Sequence, residues 1–161
     1  MRIRIATAAV LTAALCPAAA TAEAATTVRF TETQVTNQLS AAGGFPAVGG
    51  TQLNAGTITT ASFGKGDKAQ VNTVRITGQS SATTFTFTVR GTDFFAAGTQ
   101  RWTGGGTGTV NADGSFTATG RGRYVGGTGR YRGARGRFTF SATQAAGTTV
   151  QTARSRGTIR F

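Results

Sequence analysis

Thr84-Phe85-Thr86-Phe87-Thr88-Val89-Arg90 alternates strictly: Phe85, Phe87 and Val89 fall on one side of an extended chain, with Thr84, Thr86, Thr88 and Arg90 on the other. A period of two carried by aromatic and β-branched residues is the pattern of a strand with one buried face. The pattern recurs toward the C-terminus. Residues 115–124 set Phe116, Ala118 and Gly120 against Thr117, Thr119, Arg121 and Arg123. Residues 135–143 set Gly136, Phe138, Phe140 and Ala142 against Arg135, Arg137, Thr139 and Ser141. Asn111-Ala112-Asp113-Gly114 supplies a hairpin turn between a strand at 106–110 and the one at 115–124. A last strand covers 148–161, with Ile159 and Phe161 on one face.

Weaker alternation marks further strands at 27–35, 56–63, 69–77 and 94–103, with turns at Gly64-Lys65-Gly66-Asp67 and Gly104-Gly105-Gly106. Residues 41–50 (AAGGFPAVGG) have turn composition and are expected to wander over one end of the fold. From Ala25 onward the chain holds 29 Thr and 24 Gly, a mixture that disfavours helix interiors. With no helix to cover a sheet, the apolar faces must meet each other in a sandwich or a barrel. A meander of eight or nine strands favours an all-β, closed, antiparallel eight-stranded β-barrel of the calycin-like or cyclase-barrel type, because closure removes exposed edges.

The first 24 residues read as an address rather than as structure. Arg2 and Arg4 precede an apolar stretch from Ile5 to Cys16 and then small residues, the layout of a secretory signal peptide. Cleavage after Ala22 or, preferably, Ala24 leaves 25–161 as one secreted domain, extracellular or periplasmic. Lipidation at Cys16 fits poorly beside Leu15 and Pro17. No apolar run reaches the roughly 20 residues of a membrane-spanning helix. Phe161 closes the chain on an aromatic, as outer-membrane barrels do, but Thr-and-Arg strand faces do not supply the outward apolar band such barrels need.

Chemistry is narrowed by what is missing. The chain has no His and one Cys, and that Cys leaves with the signal peptide. His-based nucleophile pairs, structural zinc and disulfides are thereby excluded, and no metal or cofactor is expected. From Ala25 there are 15 Lys and Arg against four acids, Glu32, Asp67, Asp93 and Asp113. Such a cationic field attracts polyanions.

Residues 120–140 (GRGRYVGGTGRYRGARGRFTF) carry a family likeness. Within them Gly126, Gly127, Thr128, Gly129, Tyr131, Ala134 and Gly136 resemble the GGTG-x-[FY]-x-x-A-x-G signature of the barrel superfamily shared by allene oxide cyclases and plant dirigent proteins. The likeness covers about 50 residues from Gly104 onward. In it, Gly126, Gly127 and Gly129 would form a tight reversal from which Tyr131 re-enters the sheet. The resemblance implies a central apolar cavity, a role in steering or catalysing cyclisation of small hydrophobic molecules, and a tendency to form homo-oligomers. The functional residues of those families match poorly: Glu32 with Asn37 lies in a comparable first strand, but at a different spacing.

Two kinds of function follow. A small hydrophobic ligand would sit among Phe85, Phe87, Val89, Trp102, Phe116, Phe138 and Phe140, and the protein would be a binder or, with Glu32, Asp93 or Tyr124 as acid, base or orienting group, a cofactor-free cyclase or isomerase. Set against this, alternating Phe residues also make plain barrel core, and Glu32 among threonines reads more simply as solvated. Alternatively, Arg121, Arg123, Arg130, Arg132, Arg135 and Arg137 would bind an anionic surface polymer. Their interleaving with Gly, Tyr124 and Tyr131 imitates an RNA-binding tail, but Arg on the polar side of strands, in an exported protein, speaks against a specific nucleic acid.

Overall fold

The computed structural model describes residues 25–64 and 68–161. The signal-peptide reading of 1–24 and the turn through Lys65, Gly66 and Asp67 lie outside the described residues. Eight strands form a closed barrel: β1 (Thr27–Ala42), β2 (Thr51–Thr59), β3 (Ala69–Gln79), β4 (Thr84–Phe95), β5 (Gly98–Val110), β6 (Phe116–Gly127), β7 (Arg135–Gln144) and β8 (Val150–Arg160). Each pairs antiparallel with the next, and β8 closes on β1 from Thr27↔Arg160 to Asn37↔Val150. The expected closed, eight-stranded antiparallel architecture is the observed one.

Aromatic rings fill this narrow cylinder because glycines stand opposite them. Across β4–β5, Phe85 faces Gly108, Phe87 faces Gly106 and Trp102 faces Gly91. Across β6–β7, Phe140 faces Gly120 and Phe138 faces Gly122. A Cβ on Gly91 would collide with the Trp102 indole, and one on Gly120 or Gly122 with the Phe140 or Phe138 ring. The missing side chain makes room for a neighbour's ring, so the wall curves tightly without a void.

This explains the main departure from the sequence reading. Gly104-Gly105-Gly106 is no turn: it lies inside β5 and joins the two strands expected at 94–103 and 106–110, while Phe94 and Phe95 end β4. The reversal comes earlier, at Ala96-Ala97. Likewise β2 spans Thr51–Thr59 and not 56–63, because its inward residues include Gln52 and Asn54 while Leu53 and Ala55 point outward. The Asn111–Gly114 hairpin forms as expected, Gly114 taking φ +81° and the Asp113 carboxylate accepting the Ser115 N–H at 2.8 Å.

The two ends differ. At the base, where β1 starts, Phe30, Phe63, Phe95, Tyr131 and Phe161 make an aromatic plug, with Tyr131 5.4 Å from Phe95 and 4.9 Å from Phe161 between ring centroids. Tyr131 therefore does not re-enter the sheet: it ends a single 3-10 turn, Gly129–Tyr131, that seals the base. Its side chain is large and apolar enough that closing the cylinder outweighs extending a strand. At the mouth, the loop 43–50 folds over the opening and sets Phe45 edge-on to Phe85 at 6.4 Å.

The outer wall is rich in threonine and arginine, with Val35, Val71, Phe94 and Val125 exposed among them. Every arginine on the strands is exposed, and Arg123 stands directly opposite Arg137 across β6–β7. Like charges in that position repel by a few tenths of a kcal/mol up to about 1 kcal/mol. Arg137→Thr is therefore expected to raise stability by about 0.5 kcal/mol at low salt, with the gain vanishing in molar NaCl as the repulsion is screened. Thermal denaturation of both proteins across a salt series measures this.

Candidate functional site

The space inside the barrel is two-faced. Inward positions of β4, β5, β6 and β7 supply Phe85, Phe87, Val89, Trp102, Phe116 and Phe140, an aromatic wall. Inward positions of β1, β2, β3 and β8 supply Gln34, Gln52, Asn72, Gln151 and Ser155, a mainly polar wall interrupted by Val74 and Ala153. Between them lies a cavity of about 60 Å³, closed toward the mouth by Phe45. Phe138 does not line it: pressed onto Gly122, it packs one layer lower, 5.3 Å from Tyr124 and 5.8 Å from Trp102 between ring centroids.

The polar wall is an organised chain of amides. Gln52 Nε2 donates to Gln38 Oε1 at 3.1 Å and to Asn54 Oδ1 at 2.8 Å, and Asn54 Nδ2 donates to Asn72 Oδ1 at 2.9 Å. Gln34 Nε2 donates to Glu32 Oε1 at 2.8 Å. These bonds commit the Asn72 carbonyl and the Gln34 NH2. The opposite ends of both amides, a donor on Asn72 and an acceptor on Gln34, are what each can offer a ligand.

Beneath the cavity floor sits a buried acidic layer. Glu32 is not solvated, as its threonine neighbours suggested, but 3% exposed, and Asp93 is fully buried. The alternation that turns Phe30 inward also turns Glu32 inward, two residues on. Asp93 Oδ1 accepts the Trp102 indole N–H at 2.9 Å. Asp93 faces Gln70 on β3 and Gln100 on β5, so the three form one row across the wall. The second carboxylate oxygens of Glu32 and Asp93, and both amide ends of Gln70 and Gln100, are buried with no hydrogen-bond partner in the protein.

Burial decides how these groups ionise. It pushes Glu32 up to about 7, against the opposing Gln34 bond. It holds Asp93 well above the usual carboxylate range; the Glu32 charge adds to this and the Trp102 bond works against it. Tyr124 is raised by burial first and then by both carboxylates. The three acid–base candidates from the sequence thus act on one another inside the barrel, one layer below the cavity and linked to it through Gln34 and Trp102. A carboxyl group kept neutral in this way can donate as well as accept a hydrogen bond.

The sequence reading missed Gln34, Gln52, Asn54, Gln70, Asn72 and Gln100. Their signal is amides at period two within threonine-rich stretches, which an alternation of apolar residues does not reveal. Gly126 and Gly127 end β6 and Gly129 opens the base turn, with Gly126 and Gly129 at φ +142° and +55°. Thr128 Oγ1 accepts the Thr99 N–H, Ala134 is fully buried and Gly136 packs against the β8 backbone. Of the six arginines, Arg121, Arg123, Arg135 and Arg137 lie on the outer wall, whereas Arg130 lies within the base turn, over the Phe161 ring at 5.4 Å, and Arg132 follows it. Among the described residues no three His, Cys, Asp or Glu come together as metal ligands, and no helix is long and apolar enough to cross a membrane. Comparison with protein-family models yields no match, and no curated protein matches the chain.

Proposed function

We propose that this barrel, exported on the signal-peptide reading of its first 24 residues, binds a small hydrophobic molecule in the manner of the allene oxide cyclase and dirigent barrels. The observation that carries this is the two-faced cavity: an apolar wall rich in aromatic rings opposite a wall where amides and Ser155 predominate. Such a lining suits a flat, mostly apolar molecule with a polar edge, which the amides would orient. With about 60 Å³ between the walls, a guest as large as benzene, which occupies a cavity of ~150 Å³, requires Phe45 to withdraw. Phe45 is contributed by a loop, and its movement leaves the strand ladders intact.

A second reading, a cofactor-free isomerase, is favoured by one observation: Glu32 changes protonation near neutral pH and is bonded to Gln34 on the cavity wall. In that case Gln34 would pass the influence of Glu32 to the bound molecule, and Glu32→Gln would abolish turnover while sparing binding.

Binding is tested with Trp102, the sole tryptophan and a cavity residue. Coumarin is expected to quench its emission saturably. Phe45→Ala should accelerate association on the order of tenfold by removing the gate, and Asn72→Leu should weaken affinity about tenfold through loss of one oriented hydrogen bond. Linear, unsaturable quenching, together with native mass spectra showing no retained small molecule, would overturn the proposal.

A further inference from the structure

Outside the barrel, on the side away from β3, the wall carries a trough. Arg29, Arg121, Arg137 and Arg156 stand around a depression of about 620 Å³, which spans β1, β6, β7 and β8. Bare backbone at Gly122 and Gly157 forms part of its floor. Smaller depressions continue it at both ends: one shares Arg121, Gly122 and Arg137 and reaches Arg123, the other shares Thr31, Thr139 and Arg156 and reaches Arg154. The path crosses from β5 to β1, four strand spacings or roughly 19 Å. Arg29, Arg154 and Arg156 were not among the arginines singled out from the sequence. Closure of the sheet brings them beside Arg121 and Arg137.

Among the described residues no carboxylate lies on this wall: Glu32 and Asp93 face inward and Asp113 sits in the β5–β6 hairpin. The repelling pair Arg123↔Arg137 borders the trough, and Arg135↔Arg160 lies beside it across β7–β8. Like charges held side by side over glycine and threonine are relieved by an anion lying between them. Guanidinium forks match phosphate oxygens in pairs.

The occupant can be narrowed further. Tyr124 and Tyr131, the aromatics that would have stacked on bases, are buried in the core. Phe30 and Phe138, which touch the trough floor, are buried too. What the rim offers beside arginine is hydroxyl, from Thr31, Thr139 and Thr158. From these features we infer that the trough binds a linear polyol phosphate, a phosphodiester polymer without bases, with arginines on its phosphates and threonines on its hydroxyls. This inference does not rest on the cavity or its ligand.

The test is a titration of the full chain with poly(glycerol phosphate), followed by calorimetry over a salt series. With four arginines engaged, log affinity should fall with log salt at a slope of about −3, at ~0.7 per contact. Arg121→Gln with Arg156→Gln should cost about tenfold or more and halve the slope. Arg75→Gln with Arg90→Gln removes the same charge from β3 and β4 and should cost less than about threefold. Matching thermal midpoints show that both variants remain folded. Equal losses in the two double variants would mean bulk charge and would overturn the assignment, as would tighter binding of a single-stranded oligothymidylate of equal phosphate number or of anionic lipid vesicles.

Discussion

Between pH 4.5 and pH 7 the barrel is expected to lose about 3 kcal/mol of stability through Glu32 alone. The cause is Glu32, whose burial raises it from an ordinary value of 4.5 to about 7. In that window the folded chain holds a proton that the unfolded chain has released, so stability falls as pH rises. The stabilising contribution is complete below about pH 4.5 and gone once Glu32 ionises in the fold. Asp93, raised in the same direction, steepens the decline within this window and carries it to higher pH. The chain has no His, and Asp113, held low by its bonds to Ser115, titrates below the window. Against a typical total of 5–15 kcal/mol this is a large share. Urea denaturation at pH 4, 6 and 8 measures it, with Trp102 emission as the probe beside Asp93. Glu32→Gln keeps an oxygen to accept from Gln34 and adds no charge. It should match the wild type at pH 4 and exceed it by about 3 kcal/mol at pH 8. Stability that is flat or rises between pH 4.5 and 7 would show that Glu32 is solvated after all.

The same interior shows where sequence patterns speak and where they fall silent. β4 was legible because its inward residues, Phe85, Phe87 and Val89, are apolar, so alternation and burial coincide. β2 was misplaced because the barrel turns Gln52 and Asn54 inward at that level, and an apolar pattern cannot register a polar lining. Glu32, Asp93 and Tyr124 could be named as ionisable groups on strands, but their meeting depends on closure: β1, β4 and β6 become neighbours only across the lumen. The glycine run in β5 failed for a related reason. Gly104-Gly105-Gly106 carries turn composition, and only the neighbouring strands, whose backbone carbonyls a Cβ at each of the three would meet, reveal that it lets β5 lie close against β4 and β6.

That use of space can be measured. Gly122→Ala is expected to destabilise the barrel by about 3 kcal/mol, the upper part of the range for overpacking by one methyl, because the new Cβ would fall against the Phe138 ring. The obstacle is a side chain, so it can be shortened. Phe138→Leu alone should cost about 1–3 kcal/mol through lost packing. Combined with Gly122→Ala it should cost less than the two together, with a coupling of at least about 1 kcal/mol in a double-mutant cycle. Gly106→Ala makes the contrast. There the new Cβ would meet the Thr119 carbonyl oxygen and the Gly120 Cα, both backbone atoms of the neighbouring strand. Relief would require β5 and β6 to separate at Gly106↔Gly120, so Gly106→Ala should leave no cooperative thermal transition, whatever is done to nearby side chains. Additive costs for Gly122 and Phe138, or a stable Gly106→Ala barrel, would mean that the rings and the glycines were not selected for each other. Coupling at the first site and collapse at the second would separate glycines that make room for a ring from those that let two strands touch.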